Sequence, residues 1–291
     1  MSRNSTLGRT TKRPMPEARA DVIGNILKRA ATRQAMRFMQ HPDHDPDTSL
    51  IEHPLGPGLG PERPWDVCVL PFVLFLTCGL LEPSRSGGGL AGALGIPFSA
   101  YPVVYAARIA ATLLALARSW PEMYRWLGRP AWWPPLVGLA LVVPWIVLAS
   151  LQREAGWAVA AGGRAAFNPV ADLGDDVGTV WAFLVVRAVG LIAVVPLVEE
   201  LFLRGFLLRY VIREDFWNVP FGMLTFPAVG ACLLYAAASH PSECFAAVGW
   251  FAIVTGIAAA TRRPIDTILA HAATNLALGG YVLLTANWWL L

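Results

Sequence analysis

Charge is scarce in this sequence. Only 15% of its 291 residues are charged, against roughly 25% in an average soluble domain. Lysine stands only at Lys12 and Lys28, so arginine supplies nearly all the positive charge. A net charge of +3 is too small to specify a polyanionic partner. The basic N-terminus suits a membrane surface equally well, and nucleic-acid binding has no support. Cysteine is also sparse. Cys68, Cys78, Cys232 and Cys244 form no C-x-x-C pair and lie in or beside apolar segments. That excludes a disulfide framework or a zinc ribbon and leaves buried thiols. No long apolar run precedes Trp65, so no cleavable signal peptide is expected. There is no internal repeat.

What the chain has in abundance is apolar length. Hydrophobic residues make up 55% of it, and several stretches approach the ~20 residues of a membrane-spanning helix. The expected fold is all-α: a polytopic transmembrane bundle of seven to eight helices with a mostly irregular cytoplasmic N-terminal extension. Three regions are expected: the extension at 1–64, membrane helices at 65–176, and a membrane helix core at 177–291. Within the extension, 17–40 reads equally as a basic amphipathic helix on anionic lipid or as a weakly structured tail. The stretch 41–47, with His41 and His44 among aspartates and prolines, reads as linker before metal site, and 56–61 continues it.

Apolar segments are expected at 65–81, 98–117, 133–151, 179–213, 226–240, 245–260 and 265–284. The stretch 118–129 reads as a basic loop with an interfacial tryptophan cluster. The stretch 152–178 reads as an acidic loop bearing Asp172, Asp175 and Asp176. As one helix, 179–213 would be ~50 Å long, with Pro196 placed to kink or split it. Gly249, Ala252 and Gly256 share a face that predicts close helix packing. The arginine-rich stretches fall on one side if the N-terminus is cytoplasmic, which predicts a multi-pass protein of the inner (plasma) membrane.

The stretch 195–210 breaks the apolar rule. It carries Glu199, Glu200 and Arg204, and each charge costs roughly 2.5–3.5 kcal/mol at the bilayer centre. Arg204 lies four residues after Glu200, so the two can pair on one face. Glu199 is about 100° round the helix. His240 ends another apolar segment, and His271 and Asn275 share a face of the last. Counting the helical rise from the segment ends brings all of them to similar depth.

Such a cluster supports water activation. A carboxylate in a low-dielectric site can act as general base beside an imidazole. A His and an Asn on a facing helix can donate to a developing oxyanion. The reaction class is amide hydrolysis in a membrane-bound substrate.

Glu199-Glu200-x-x-x-Arg204, then His240, then His271-x-x-x-Asn275 resembles the three motifs of the CAAX protease and bacteriocin-processing (ABI) family of intramembrane endopeptidases. The resemblance runs from about residue 177 to the C-terminus. It is also similar to the bacterial branch associated with exosortase and PEP-CTERM sorting, which implies a protein-sorting system as partner. The resemblance implies that Glu199 is the base, with His240 sharing its water. It implies that Arg204 holds Glu200, and that His271 and Asn275 stabilise the oxyanion. One departure stands out: the family's aromatic four residues before the second-motif His is Ala236 here, with Tyr235 one step earlier.

Other readings compete. Glu200–Arg204 could fix helix register alone. Ser239 or Cys244 beside His240 could be a nucleophile, but no third orienting group is evident. No cofactor is expected, although Glu199, His240 and His271 match a His₂Glu zinc set. A non-catalytic scaffold or chaperone could retain the same polar core for folding. A proton-relay transporter is disfavoured by the lack of repeats.

Overall fold

The computed structural model describes residues 60–157, 167–174 and 176–290. The expectations for 17–40, 41–47, Asp175 and most of the 56–61 linker lie outside the described residues. Seven principal helices carry the described chain. They are α1 (Pro64–Gly79), α2 (Tyr101–Leu127), α3 (Pro134–Glu154), α4 (Val177–Tyr210), α5 (Phe226–Ser239), α6 (Cys244–Thr261) and α7 (Pro264–Thr285). No strand occurs among the described residues. Five helices are long and apolar enough to cross a membrane, α1 and α5 being shorter. The fold is the expected all-α membrane bundle.

Its surface is inverted relative to a soluble protein. Val103, Leu114, Val185, Leu234 and Leu284 point outward and are exposed, while Glu200, Arg204 and Arg209 are buried. Outward leucine and valine with inward charge is what a lipid solvent selects, because an ionised group must find protein or water. Aromatic rings fill the interior, as where Phe72 of α1 stacks on Phe202 of α4 at 4.0 Å.

Local sequence explains most helix ends. Asp176 caps α4 through Gly178 N–H at 3.1 Å and accepts from the Thr179 hydroxyl at 2.6 Å. Those bonds, the Thr179 one foremost, hold its carboxyl below the usual carboxylate range. Thr225 caps α5. Helix α3 breaks at Leu141, between segments ending at Ala140 and starting at Val142. Pro144 explains it: it has no N–H for the Ala140 carbonyl, and its ring crowds that turn. In the turn after α4, Arg213 and then Asn218 bond Asp215 and hold its carboxyl well below its ordinary value.

Three expectations are corrected. The stretch 118–129 is no loop, because α2 runs through it to Leu127 with Pro121 inside. Glu122, Met123, Trp126 and Leu127 bury one face there, and that packing outweighs the proline. Pro196 does not split α4. Helix α4 instead passes through two wider turns with i→i+5 hydrogen bonds, at Gly190–Val194 and Leu201–Leu207. Gly249 and Gly256 face outward with no heavy atom near an added Cβ. Helix α6 presents Trp250, Phe251, Val254 and Thr255 inward instead. Close approach occurs at Gly138 of α3, where a Cβ would lie 2.0 Å from the Ala270 carbonyl oxygen of α7.

Candidate active site

Helices α4, α6 and α7 bring Glu199, Glu200, Arg204 and His271 together, and α4 sets the geometry. In its first wide turn, Val195 N–H donates to the Gly190 carbonyl. In that register the Leu191 carbonyl would next take its bond from residue 196. Pro196 has no N–H to give. Asn275 of α7 supplies the missing donor, its Nδ2 reaching the Leu191 oxygen at 2.8 Å. The proline that predicted a kink thus explains why an amide faces it across the helix interface.

The second wide turn carries Arg204. Its Nη1 donates to Glu200 Oε1 at 2.8 Å, and both side chains are buried. Nη2 reaches across to α6, to the Phe251 carbonyl at 3.1 Å and the Thr255 hydroxyl at 3.4 Å. The guanidinium also lies 5.0 Å from the Phe251 ring centre. One arginine therefore ties the acidic turn of α4 to the middle of α6. The expected Glu200–Arg204 pair is present.

His271 of α7 links the two glutamates. Its Nδ1 lies 3.1 Å from Glu200 Oε1, and its Nε2 lies 4.0 Å from Glu199 Oε2. The first is a hydrogen bond and the second is longer than one. The glutamates differ in setting: the Glu200 side chain is 1% exposed, that of Glu199 14%. Trp250 packs edge-on against His271 with centroids 4.6 Å apart. Trp250 is itself fixed, because its Nε1 donates to the Thr274 hydroxyl at 3.1 Å, which donates to the Gly138 carbonyl at 2.8 Å.

His240 ends α5, where the chain leaves helical geometry. Its ring lies 5.8 Å from Phe251 and 5.7 Å from Trp145 of α3. Phe251 contacts Trp250 at 5.1 Å, so His240 and His271 stand against neighbouring parts of one aromatic wall. The Ser239 hydroxyl donates to the Tyr235 carbonyl at 2.8 Å and lies 2.9 Å from His240 Nδ1. A hydroxyl has one hydrogen. When that hydrogen goes to Tyr235, Ser239 can only accept from Nδ1–H, which leaves the imidazole's basic lone pair on Nε2. A serine nucleophile needs the opposite polarity, so this geometry does not favour Ser239 in that role.

The displaced aromatic is accommodated. Ala236 is fully buried beside Leu203, Cys232 and Trp250, and the Tyr235 ring instead meets Phe202, Phe72 and Phe251. Among the described residues, no three His, Cys, Asp or Glu side chains are grouped as a metal site requires.

Sequence reasoning missed three polar residues that brace this region. Arg209 is buried and donates to the carbonyls of Val219 at 2.7 Å, Gly205 at 2.9 Å and Trp217 at 3.1 Å. Asp266, buried at the start of α7, accepts from Ala131 N–H at 2.7 Å and from Arg263 at 2.8 Å. Gln152 of α3 bonds the turn after His240. Each sits at the end of an apolar segment, where composition alone suggests an interface.

Comparison with known proteins bears on the same helices. Residues 180–277 match the family model described as type II CAAX prenyl endopeptidase, Rce1-like. That span contains Glu199, Glu200, Arg204, His240, His271 and Asn275. No curated protein and no solved structure matches the chain. The resemblance carried by the three motifs thus holds for the segment that bears them: in this multi-pass membrane protein, residues 180–277 form a domain of the CAAX protease family.

Proposed function

We propose that this chain is an intramembrane endopeptidase that hydrolyses a peptide bond of a membrane-bound protein or peptide with a water activated by Glu199 and His240. The observation that carries the proposal is the unlike setting of two adjacent glutamates. Glu200 is buried and committed to Arg204 and His271. Glu199 is more accessible and approaches the other nitrogen of His271. The ion pair with Arg204 holds the first, and the second stands at the more open nitrogen of the same imidazole.

The steps follow from the donors and acceptors. Glu199 and His240 Nε2 hold the water, and Glu199 takes its proton as the oxygen attacks the scissile carbonyl. The oxyanion then meets donors on α7. Asn275 Nδ2 carries two hydrogens, one given to Leu191 and the second assigned here to the oxyanion. His271, with Nδ1–H given to Glu200, donates from Nε2 only when doubly protonated. The C–N bond breaks, and the proton on Glu199 passes to the leaving amine. One oxyanion donor is typically worth 10²–10³ in rate. The proposal includes an inner-membrane location and a cytoplasmic N-terminus.

The test is product analysis in proteoliposomes. The full chain is offered membrane-anchored peptides, including a prenylated CAAX peptide and one with a C-terminal sorting tail. Mass spectrometry should find paired new termini. Intact peptides, with partner abundance depending on the chain, would indicate a scaffold. A chelator-sensitive cleavage restored by zinc would assign the water to a metal.

A further inference from the structure

We propose that α3, which lies outside the family-matched segment, positions His240 through Gln152 and Trp145. The inference rests on the proposed function for its catalytic meaning and on geometry alone for its structural meaning.

His240 stands where a helix ends. After it, Pro241–Glu243 form a single tight turn, and α6 starts at Cys244. Residues in such a junction need outside restraint, because the first four N–H groups of a helix lack intrahelical partners. Helix α6 receives no side-chain cap from its own preceding residue, Glu243. Gln152 provides one from α3. Its Oε1 accepts from Phe245 N–H at 3.2 Å, and its Nε2 donates to the Pro241 carbonyl at 3.1 Å. One amide thereby spans the turn, gripping its first residue and the second residue of the next helix. Gln152 is 4% exposed, so both bonds are sheltered from competing water.

Seven residues earlier on the same helix, Trp145 meets the imidazole edge-on at 5.7 Å. It also meets Trp250 at 6.5 Å, the ring that packs on His271. The indole N–H of Trp145 is buried with no hydrogen-bond partner among the described residues. Packing alone therefore orients this ring against His240. Gln152 fixes the backbone on one side of His240, and Trp145 fixes the plane of its ring. Neither is assigned to hold the proposed water, so both are positioning residues.

The test uses the full chain in nanodiscs with 13C-labelled histidine. Gln152→Leu removes both bonds, and Gln152→Glu keeps the acceptor for Phe245 N–H. The His240 ring signal, assigned with His240→Gln, should move in Gln152→Leu and move less in Gln152→Glu. The His271 signal should stay in place. In the peptide assay, kcat should fall between about tenfold and a hundredfold for Gln152→Leu with KM within about twofold, and Gln152→Glu should recover part of it. If Gln152→Leu does not fold, Trp145→Phe serves, because it changes the ring that meets His240 directly and His271 only through Trp250. An unmoved His240 signal, or equal movement of both imidazoles, overturns the proposal. Absence of any cleavage by the native chain would defeat the endopeptidase reading, while the ring signals would still test the positioning.

Discussion

Two buried arginines stand five residues apart on α4, and they live differently. Arg204 has a carboxylate, a carbonyl and a hydroxyl, drawn from two helices. Arg209 has three carbonyls and no carboxylate among the described residues. Around Arg204 lie further ionisable side chains, Glu199, Glu200 and His271. Around Arg209 lie backbone and the rings of Trp126 and Phe216. A cation that only needs to end a helix and brace the turn after it is fully served by carbonyls. Adding carboxylates and imidazoles to a lipid-embedded core costs more, and the proposed hydrolysis gives that excess a use. The inference from intramembrane charge to function therefore depends on what the charge is paired with.

That contrast can be broken from several directions. Arg209→Met should have the largest effect on folding, on the order of 3 kcal/mol, because it strands buried carbonyl groups. Folded yield and the thermal midpoint should drop, with the activity per folded molecule little changed. Arg204→Lys should do the reverse. Lysine keeps the charge but cannot bond Glu200, Phe251 and Thr255 from one planar fork. Turnover should fall by about a hundredfold with a smaller loss of midpoint. If turnover survives in Arg204→Lys and collapses per folded molecule in Arg209→Met, the two regions have been assigned backwards.

Ser239→Ala sharpens the picture at His240. With Ser239 as acceptor for Nδ1–H, its loss should slow turnover about tenfold by freeing the ring. Complete loss would revive Ser239 as a nucleophile. The smallest effect belongs to chelation. Treating the reconstituted protein with a zinc chelator should leave turnover within about twofold. A loss reversed by zinc would mean that an ion, and not Arg204, organises the acidic region.

Much of this was legible in the sequence, for a physical reason. Polar residues in apolar segments stand out, and the four-residue spacings Glu200–Arg204 and His271–Asn275 place each pair on one helical face. The fold class followed from apolar length. What escaped was whatever depends on partners distant in the chain. Proline at 121 reads as a breaker, yet the buried face of α2 carries the helix through it. Pro196 reads as a kink, yet wide turns and an amide 79 residues away absorb it. Gln152 and Asp266 look like interfacial polar residues, because their partners are backbone groups 89 and 135 residues away. Small residues at 249, 252 and 256 satisfy a packing pattern, but pattern alone does not say which face turns inward.

The most direct measurement compares Glu199→Gln with the native chain in one reconstituted peptide assay, reading turnover per folded molecule and the thermal midpoint together. Turnover should fall by about 10²–10⁴ with the midpoint nearly unchanged, because Glu200 carries the ion pair to Arg204. Turnover that persists in Glu199→Gln, or a midpoint that collapses with it, would contradict the assignment of Glu199 as the group that activates water.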